Sequence, residues 1–576
     1  MKIIVAKTAG FCMGVRRAVE LVLDLPKKYP EPICTYGPLI HNPQVIALLE
    51  EKGIYALKEI PEKGSGTILI RAHGVPPEVK KRLQESGMVV VDATCPRVIK
   101  VQTIIRKYVG QGYACIIIGD RDHPEVIGLL GYAGNSGHAA ANIEDLARLP
   151  GFEKAIVVAQ TTQNTVLFEQ VRQWVNRHFP HYKVFNTICD STEKRQAEIS
   201  RLAETVDAVV VVGGKSSGNT QRLLEIARGK GKPAFHVETE AELDESLAKA
   251  QRVGITAGAS TPNWVLRRVY RELQALPFRK RKGWKSRWFT LERTLLLTST
   301  YLALGAGATC YAGAMLQGIP DYFPHILITI LYVQSMHILN NLIGRKADRY
   351  NEPDRAFFYD DHKALLSKLA VLVGGAGLVA AYTLGMIPFF VLLSMSVTGL
   401  SYNVNLLPGW IGKGKYRRIR DIPGSKTVLI ALAWGIVTSV FPALTTLKTF
   451  TAGNAMAFFW ASGLVFIRTA FFDILDMQGD RIVGRETLPI LLGEKRTLNV
   501  LKVMLIAIMG ILAGAAALGA VTSLGYLLLL PVFSLLIVVM THEKGHMLPG
   551  IRLEFLVDTH FIMGGVLALI WALGKG

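Results

Sequence analysis

"AGFCMGVRRAVE", residues 9–20, sets one cysteine on a Gly-flanked turn at the mouth of an amphipathic helix. Twice more the chain repeats that setting, in "DATCPRVIKVQ" around Cys95 and "NTICDSTEKRQAEI" around Cys189. Each is a strand-end Cys followed at once by a helical pattern, and the intervals are similar, 83 and 94 residues. Two further sets of strand ends keep the same rhythm. "YGPLIHNPQVI", "IIGDRDHPEVIG" and "VVGGKSSGNTQRL" place His41, His123 and Asn219 alike, 82 and 96 residues apart. "ILIRAHGVPPEV", "VVAQTTQNTV" and "GITAGASTPNW" do the same for His73, Thr161 and Ser260, 88 and 99 residues apart. Such internal self-similarity implies three copies of one α/β module. Ligands of open α/β sheets sit at the carboxyl ends of strands, so three modules around an axis would turn all nine positions toward one cavity.

The chain has 576 residues, too many for one core. Up to about Leu276, short apolar runs such as "IIVA", "CIIIG" and "AVVVVGG" alternate with helical stretches, the pattern of an α/β domain. From Thr294 the pattern changes. Nine apolar runs follow, at 294–316, 323–343, 366–385, 387–407, 427–445, 452–472, 498–520, 523–541 and 555–574. Each is near the ~20 residues that a bilayer requires. The expected architecture is a soluble α/β domain (1–276), a basic linker (277–292) and an all-α polytopic membrane domain of about nine helices (293–576). The opening "MKIIVAK" is too short and too poor in small residues for a signal peptide.

The formal charge of +20 could suggest nucleic acid, but its placement argues otherwise. Lys and Arg cluster in "FRKRKGWKSRW" and then only in alternate loops, "GRKADRYNEPDR", "GKGKYRRIRDIPGSK", "DRIVGRETLPILLGEKR" and "HEKGHMLPGIR". The loops between them hold a single Lys. That is the positive-inside pattern, so the soluble half and the charged loops are expected to share the cytoplasm. The basic linker then reads as a contact with anionic headgroups. No groove-reading motif supports a nucleic-acid partner.

Six cysteines in a cytoplasmic chain are not expected to pair as disulfides. Cys34, Cys115 and Cys310 lack the strand-end setting and read as small buried hydrophobes. Three thiolates at helix starts, where backbone N–H groups and the helix dipole favour negative charge, can hold an iron–sulfur cluster. A [4Fe-4S] cube on three Cys keeps one iron for substrate. Zinc competes, but structural zinc sites use closely spaced Cys pairs, and these three are spread over about 180 residues. His41, His73, Ser217, Asn219 and Ser260 are hydrogen-bond donors without balancing acids, which implies an anionic ligand such as a diphosphate. Glu125 is the one carboxylate in the second set and the natural proton source, with Thr161 as a hydroxyl relay. Any one of these residues alone reads better as a cap or turn; the threefold recurrence lifts the set above that.

"GFCMGV", "GPLIHNPQV", "RAHGVPP", "DATCP", "HPEVIG", "QTTQ", "CDSTEKRQ", "GGKSSGNT" and "TAGAS" together resemble the 4-hydroxy-3-methylbut-2-enyl diphosphate reductase family, over residues 1 to about 272. The resemblance implies a [4Fe-4S] cluster on Cys12, Cys95 and Cys189. It places His41, His73, His123, Ser217, Asn219 and Ser260 on the diphosphate or hydroxyl, with Thr161 and Glu125 delivering a proton. The implied reaction is reductive loss of the hydroxyl to give isopentenyl and dimethylallyl diphosphate, fed by a ferredoxin- or flavodoxin-type donor. Many relatives have a second Ser after Ser217; here it is Gly218, which would remove one diphosphate contact.

Two motifs mislead. "GGKSSGNT" lacks the first Gly of a P-loop, position 209 being Val. "HEKGH" (542–546) fits H-E-x-x-H but contains Gly545 and precedes Pro549, whereas paired His ligands need a helix.

The membrane half has acids of its own. "DILDMQGDRIVGRETLP" spaces Asp473, Asp476 and Asp480 by three and four residues, on one helix face, where they can hold Mg2+ on a diphosphate. A solvated acidic face rarely begins straight after a membrane run. With "NNLIGRKADRYNEPDR" earlier, and Arg417, Arg418, Arg420 and Lys426 as phosphate partners, this half resembles the UbiA superfamily of intramembrane prenyltransferases over about 290–576. Asn340 opens the first motif, N-x-x-x-D-x-x-x-D; its middle Asp is replaced by Gly344 and only Asp348 remains. The reading is a fusion, a cytoplasmic diphosphate reductase joined to a multi-pass domain of the cytoplasmic membrane that transfers a prenyl group from its diphosphate to a lipophilic acceptor. One alternative makes the membrane half an inactive anchor or lipid-binding module. Another makes the soluble half an iron–sulfur electron carrier, which would not need His41, His73 or Glu125.

Overall fold

The strand that opens the chain, Lys2–Val5, pairs not with its successor but with Arg252–Ala257, Lys2 lying opposite Arg252. In the computed structural model this pairing closes the first of two compact units, Met1–Arg279 and Lys280–Gly576. The structure describes residues 1–279, 283–320, 322–343, 348, 350–403, 418–446, 451–544 and 550–574.

The first unit contains three four-stranded sheets in which every pairing is parallel. From edge to edge they run Lys2–Val5, Arg252–Ala257, Ala208–Val212, Ala234–Val237; Val89–Asp92, Thr67–Ile70, Ile33–Tyr36, Tyr55–Leu57; and Lys183–Phe185, Ala155–Ala159, Ala114–Ile118, Gly137–Ala140. In this sense the three orders superimpose. The edge strand of each leads into Cys12, Cys95 or Cys189, its neighbour into Ser260, His73 or Thr161, and the next into Asn219, His41 or His123. The repeat is circularly permuted, because the chain's first strand completes the last module. Central strands such as "AVVVV" and "TILI" are buried along their whole length, as parallel sheets covered on both faces require.

One backbone bond recurs in all three modules. The Cys12 N–H donates to Ala259 O (3.0 Å), Cys95 N–H to Ala72 O (2.9 Å) and Cys189 N–H to Thr161 O (2.9 Å). Each cysteine loop is thereby tied to the loop that carries Ser260, His73 or Thr161, so the sequence repeat becomes a repeat of position.

The second unit is helical. Among the described residues seven helices are long and apolar enough to cross a membrane: Phe323–Ile343, Lys363–Thr383, Ser425–Thr446, Ala452–Ile482, Glu494–Ala517, Leu524–Glu543 and Ile551–Leu573. The run expected at 294–316 is a pair, Trp284–Leu297 and Thr300–Gln317, bent by 73°. The break falls at Ser299, whose φ of 59° lies in the left-handed region and cannot continue a right-handed helix. The run expected at 387–407 contains Met386–Leu400, 15 residues and short for a span. Nine apolar runs thus correspond to seven full-length helices, one bent pair and one short helix.

Candidate active sites

Helix starts position the thiols. Cys12, Cys95 and Cys189 are the N-cap residues of Met13–Asp24, Pro96–Val109 and Asp190–Thr205, where the first N–H groups lack helical partners. Cys12 Sγ accepts from Val15 N–H at 3.4 Å, and the N–H groups of Arg97 and Val98 favour a thiolate at Cys95, as those of Ser191 and Thr192 do at Cys189. Burial raises the Cys95 and Cys189 thiols, and the Cys12 charge raises both further. The Cys95 and Cys189 thiols therefore resist ionising unless a cation or cluster neutralises the charge. Gly14 leaves no slack beside them, since a Cβ there would stand 2.5 Å from Cys95 Sγ. All six cysteines are free thiols.

The same cavity is lined by His41, His73, His123, Glu125, Thr161, Ser217, Asn219 and Ser260. The three imidazoles converge, with ring centroids 4.8 Å apart for His41 and His73, 5.3 Å for His73 and His123, and 5.6 Å for His41 and His123. His123 caps Pro124–Ala133, its Nδ1 accepting from the Glu125 N–H at 3.1 Å, which leaves the proton on Nε2. Burial lowers all three histidines, His123 to about 4; Arg71 adds to the effect on His41, and the neighbouring imidazoles to that on His73 and His123. They are therefore neutral at pH 7. His41 Nε2, His73 Nδ1 and both amide atoms of Asn219 are buried with no hydrogen-bond partner among the described residues, a set of orphans that a polar ligand would satisfy.

Glu125 is 1% exposed. Its Oε1 accepts from Thr161 N–H (2.7 Å) and its Oε2 from Thr161 Oγ1 (2.8 Å). Burial raises its carboxyl despite these two bonds, and the Thr161 hydroxyl joins it to the cavity.

In the second unit Asp473, Asp476 and Asp480 share a face of Ala452–Ile482. Asp473 (2% exposed) accepts from Thr427 Oγ1 at 2.7 Å and pairs with Lys426 Nζ at 3.5 Å. Asp480 (1% exposed) accepts from Asn351 Nδ2 at 2.9 Å and faces Arg485 at 3.9 Å. Lys426 keeps 41% of its side chain accessible. Arg420 is exposed and pairs with Asp421 at 3.7 Å. Asp348 is half-buried and Asn340 exposed. Gly344, Arg417 and the Gly545–His546 part of "HEKGH" lie outside the described residues.

Residues 3–274 match the family described as LytB protein. Over 272 residues the chain is 42% identical to the 4-hydroxy-3-methylbut-2-enyl diphosphate reductase of Alkaliphilus oremlandii, an alignment covering 47% of this chain and 98% of that one. The chain belongs to the LytB family. It is also 42% identical to the Geobacter sulfurreducens reductase over 284 residues, 49% of this chain and all of that one. A solved reductase structure is 40% identical, covering 48% of this chain and 99% of its own, with a TM-score of 0.39. Residues 299–544 match the UbiA prenyltransferase family, and with their apolar helices make this half a membrane protein.

In the LytB unit all eleven residues expected at the site line one cavity. Several charges without a counterpart in the sequence repeat stand around it. Arg71, in the quoted "RAHG", acts on His41, His73 and His123. Arg222 pairs with Asp120 at 2.9 Å and donates to Gln163 Oε1 at 3.1 Å beneath the Ser217 loop. Arg195 stands in the quoted "CDSTEKRQ" and reaches both Cys12 and Cys189 electrostatically. None recurs from module to module, so a reading built on repeats had no signal for them.

Proposed function

We propose that the LytB unit reduces 4-hydroxy-3-methylbut-2-enyl diphosphate to isopentenyl and dimethylallyl diphosphate. The observation that carries this is one cavity joining three helix-start thiols to a Glu125–Thr161 pair and three neutral imidazoles. Among the described residues the one set of three side chains spaced for a single ion is His41, His73 and His123, so the thiols suit something larger than one metal. Cys12, Cys95 and Cys189 would hold a [4Fe-4S] cluster, which supplies electrons one at a time and a Lewis-acidic iron.

Neutral His41, His73 and His123 donate hydrogen bonds to the diphosphate without the cost of burying imidazolium charges, and Asn219, Ser217 and Ser260 complete the cradle. Glu125 passes its proton through Thr161 Oγ1 to the departing hydroxyl. Overall two electrons and two protons enter, the allylic C–O bond breaks and water leaves. A ferredoxin- or flavodoxin-type protein in the cytoplasm supplies the electrons. Anaerobic purification, followed by spectra with and without the substrate and turnover with a chemical reductant, tests this reading; a colourless, iron-free protein would overturn it.

For the UbiA unit the reading is transfer of a prenyl group from its diphosphate to a lipophilic acceptor in the cytoplasmic membrane. The bond from prenyl carbon to diphosphate oxygen breaks, one to the acceptor forms, and the acceptor loses a proton. Asp473, Asp476, Asp480 and Asp348 offer hard oxygen ligands suited to Mg2+, while Lys426, Arg420, Arg417 and Asn340 are diphosphate partners. The test is incorporation of labelled prenyl diphosphate into membrane lipid. A second reading, a lipid-binding anchor without transferase activity, draws on Gly344 in the first motif and on the Lys426–Asp473 and Asn351–Asp480 contacts, which already occupy two of the acids.

A further inference from the structure

The charge of three thiolates must be balanced somewhere, and one buried guanidinium stands where it can do so. Arg195 is 3% exposed. Its Nη2 donates to Gly10 O at 2.6 Å, two residues before Cys12. Its Nη1 donates to Ala257 O at 2.9 Å, two residues before the Ala259 carbonyl that receives the Cys12 N–H. Its Nε lies 3.4 Å from Ser191 Oγ, two residues after Cys189. One rigid fork therefore joins the backbone before Cys12, the end of the strand Arg252–Ala257 beside it and the first turn after Cys189. The charged groups that face it are Cys12, Glu198 and Cys189.

Glu198, one turn further along the same helix, faces Arg195 and is held by the loop before Cys12. It accepts from Lys7 N–H (2.6 Å), Thr8 N–H (2.9 Å) and Thr8 Oγ1 (2.6 Å). Arg97 also acts on Cys189 and lines the cavity, but it is half-exposed, in an ion pair with Asp190. A charge near solvent is screened; one in the interior is not. The polar residues that line the cavity around the thiols are otherwise neutral or acidic.

We propose that Arg195 is the interior counter-charge of the cluster site, fixing the loops of Cys12 and Cys189 and raising the reduction potential of whatever the thiolates hold. It is a positioning residue and touches no substrate. The inference rests on the [4Fe-4S] reading above. Cluster potentials respond to net charge and hydrogen bonding around the sulfurs, so a fixed cation favours the reduced, more negative state. Arg is suited to the task because its planar fork stays charged when buried and can hold two carbonyls at once.

The experiment is a mediator-buffered redox titration followed by electron paramagnetic resonance, with iron content, on the full chain purified anaerobically. The variants are Arg195→Gln, Arg195→Lys and Glu198→Gln. Arg195→Gln is expected to move the midpoint to more negative values and to retain less iron. Arg195→Lys, which keeps the charge, should stay near wild type. Glu198→Gln should move the midpoint the opposite way, a sign reversal that simple loosening of the loops would not produce. An unchanged midpoint in Arg195→Gln, or shifts of the same sign in it and Glu198→Gln, would overturn the assignment. Should Arg195→Gln hold no iron, retention by Arg195→Lys supports the counter-charge and equal loss in both, with folding intact by circular dichroism, overturns it. A wild-type protein without a cluster would instead overturn the reductase reading itself.

Discussion

On the proposed functions both halves of this chain handle a diphosphate, and they do so with opposite materials. The LytB cavity is lined by neutral donors and by one buried acid, Glu125, the proposed proton source. The UbiA unit presents acids, Asp473, Asp476 and Asp480, which can meet an anion only through a metal or through cations such as Lys426. Neutral donors can meet the anion without a metal between them. A site of acids is complete only with its metal, and losing one ligand, as at Gly344, bears on it directly.

The largest expected effect is at the thiols. Cys12→Ser, Cys95→Ser and Cys189→Ser should each abolish the chromophore and reduce turnover by more than about a thousandfold, since removing a ligand removes the cluster. Cys34→Ser and Cys115→Ser should keep both. Those two lie inside strands, where burial pushes the thiols up to about 11 and about 12 and makes them poor ligands at neutral pH. Equal loss in Cys34→Ser, followed by visible absorption and iron assay, would break the equivalence of the three modules.

Next comes the acidic site. Asp476→Ala should abolish Mg2+-dependent prenyl transfer in membranes and leave reductase turnover untouched, because each unit has its own core and site. Gly344→Asp should maintain or raise transfer by restoring an oxygen ligand. Incorporation of labelled prenyl diphosphate that ignores Asp476→Ala would remove these carboxylates from the chemistry, and no incorporation by the wild type would favour the anchor reading.

The contrast between the halves also governs how much the sequence disclosed. Cys12, His41 and His73 were legible because each has counterparts at nearly equal intervals, and a threefold pattern in sequence has one simple cause in topology. The permutation was not legible, since nothing local in "KIIV" says that its partner is "RVGITA". Arg195 escaped for a related reason: it acts on Cys12 across the fold and has no counterpart in the other modules. In the membrane half hydropathy located the apolar runs but not the bend at Ser299, because a left-handed φ at a serine leaves no mark on mean hydropathy.

A smaller effect is expected at Glu125. Glu125→Gln should retain the cluster and leave KM nearly unchanged while kcat falls about 10²- to 10⁴-fold, the usual contribution of a positioned proton donor. The pH profile fixes the sign. Burial raises the Glu125 carboxyl, so its donor form is fully present at low pH and is lost as pH rises through the raised value. The wild-type kcat should therefore fall on the alkaline side, and Glu125→Gln should flatten that limb. A limb that survives the substitution would reassign the acid.

The smallest expected effect sharpens the claim that the LytB cradle is built from neutral donors. Gly218 lies at the first position of Gly218–Gly229, directly after the Ser217 cap, and lines the cavity. A Cβ placed there would stand 3.2 Å from Arg222 Nη1 and 3.7 Å from Asp120 Oδ2, tight against an ion pair but with room if the guanidinium yields a few tenths of an ångström. Gly218→Ser therefore adds a hydroxyl at the helix start where anions are favoured, with no clash against backbone. A hydrogen bond to a charged group contributes about 1.5–3 kcal/mol at best, and displacing Arg222 offsets part of that. The expected outcome is a KM lowered about three- to tenfold, with kcat unchanged because the added contact is equal in ground and transition states. Steady-state kinetics with a chemical reductant checks it. A KM that rises would mean that the Arg222–Asp120 pair, rather than the missing hydroxyl, sets this edge of the diphosphate cradle.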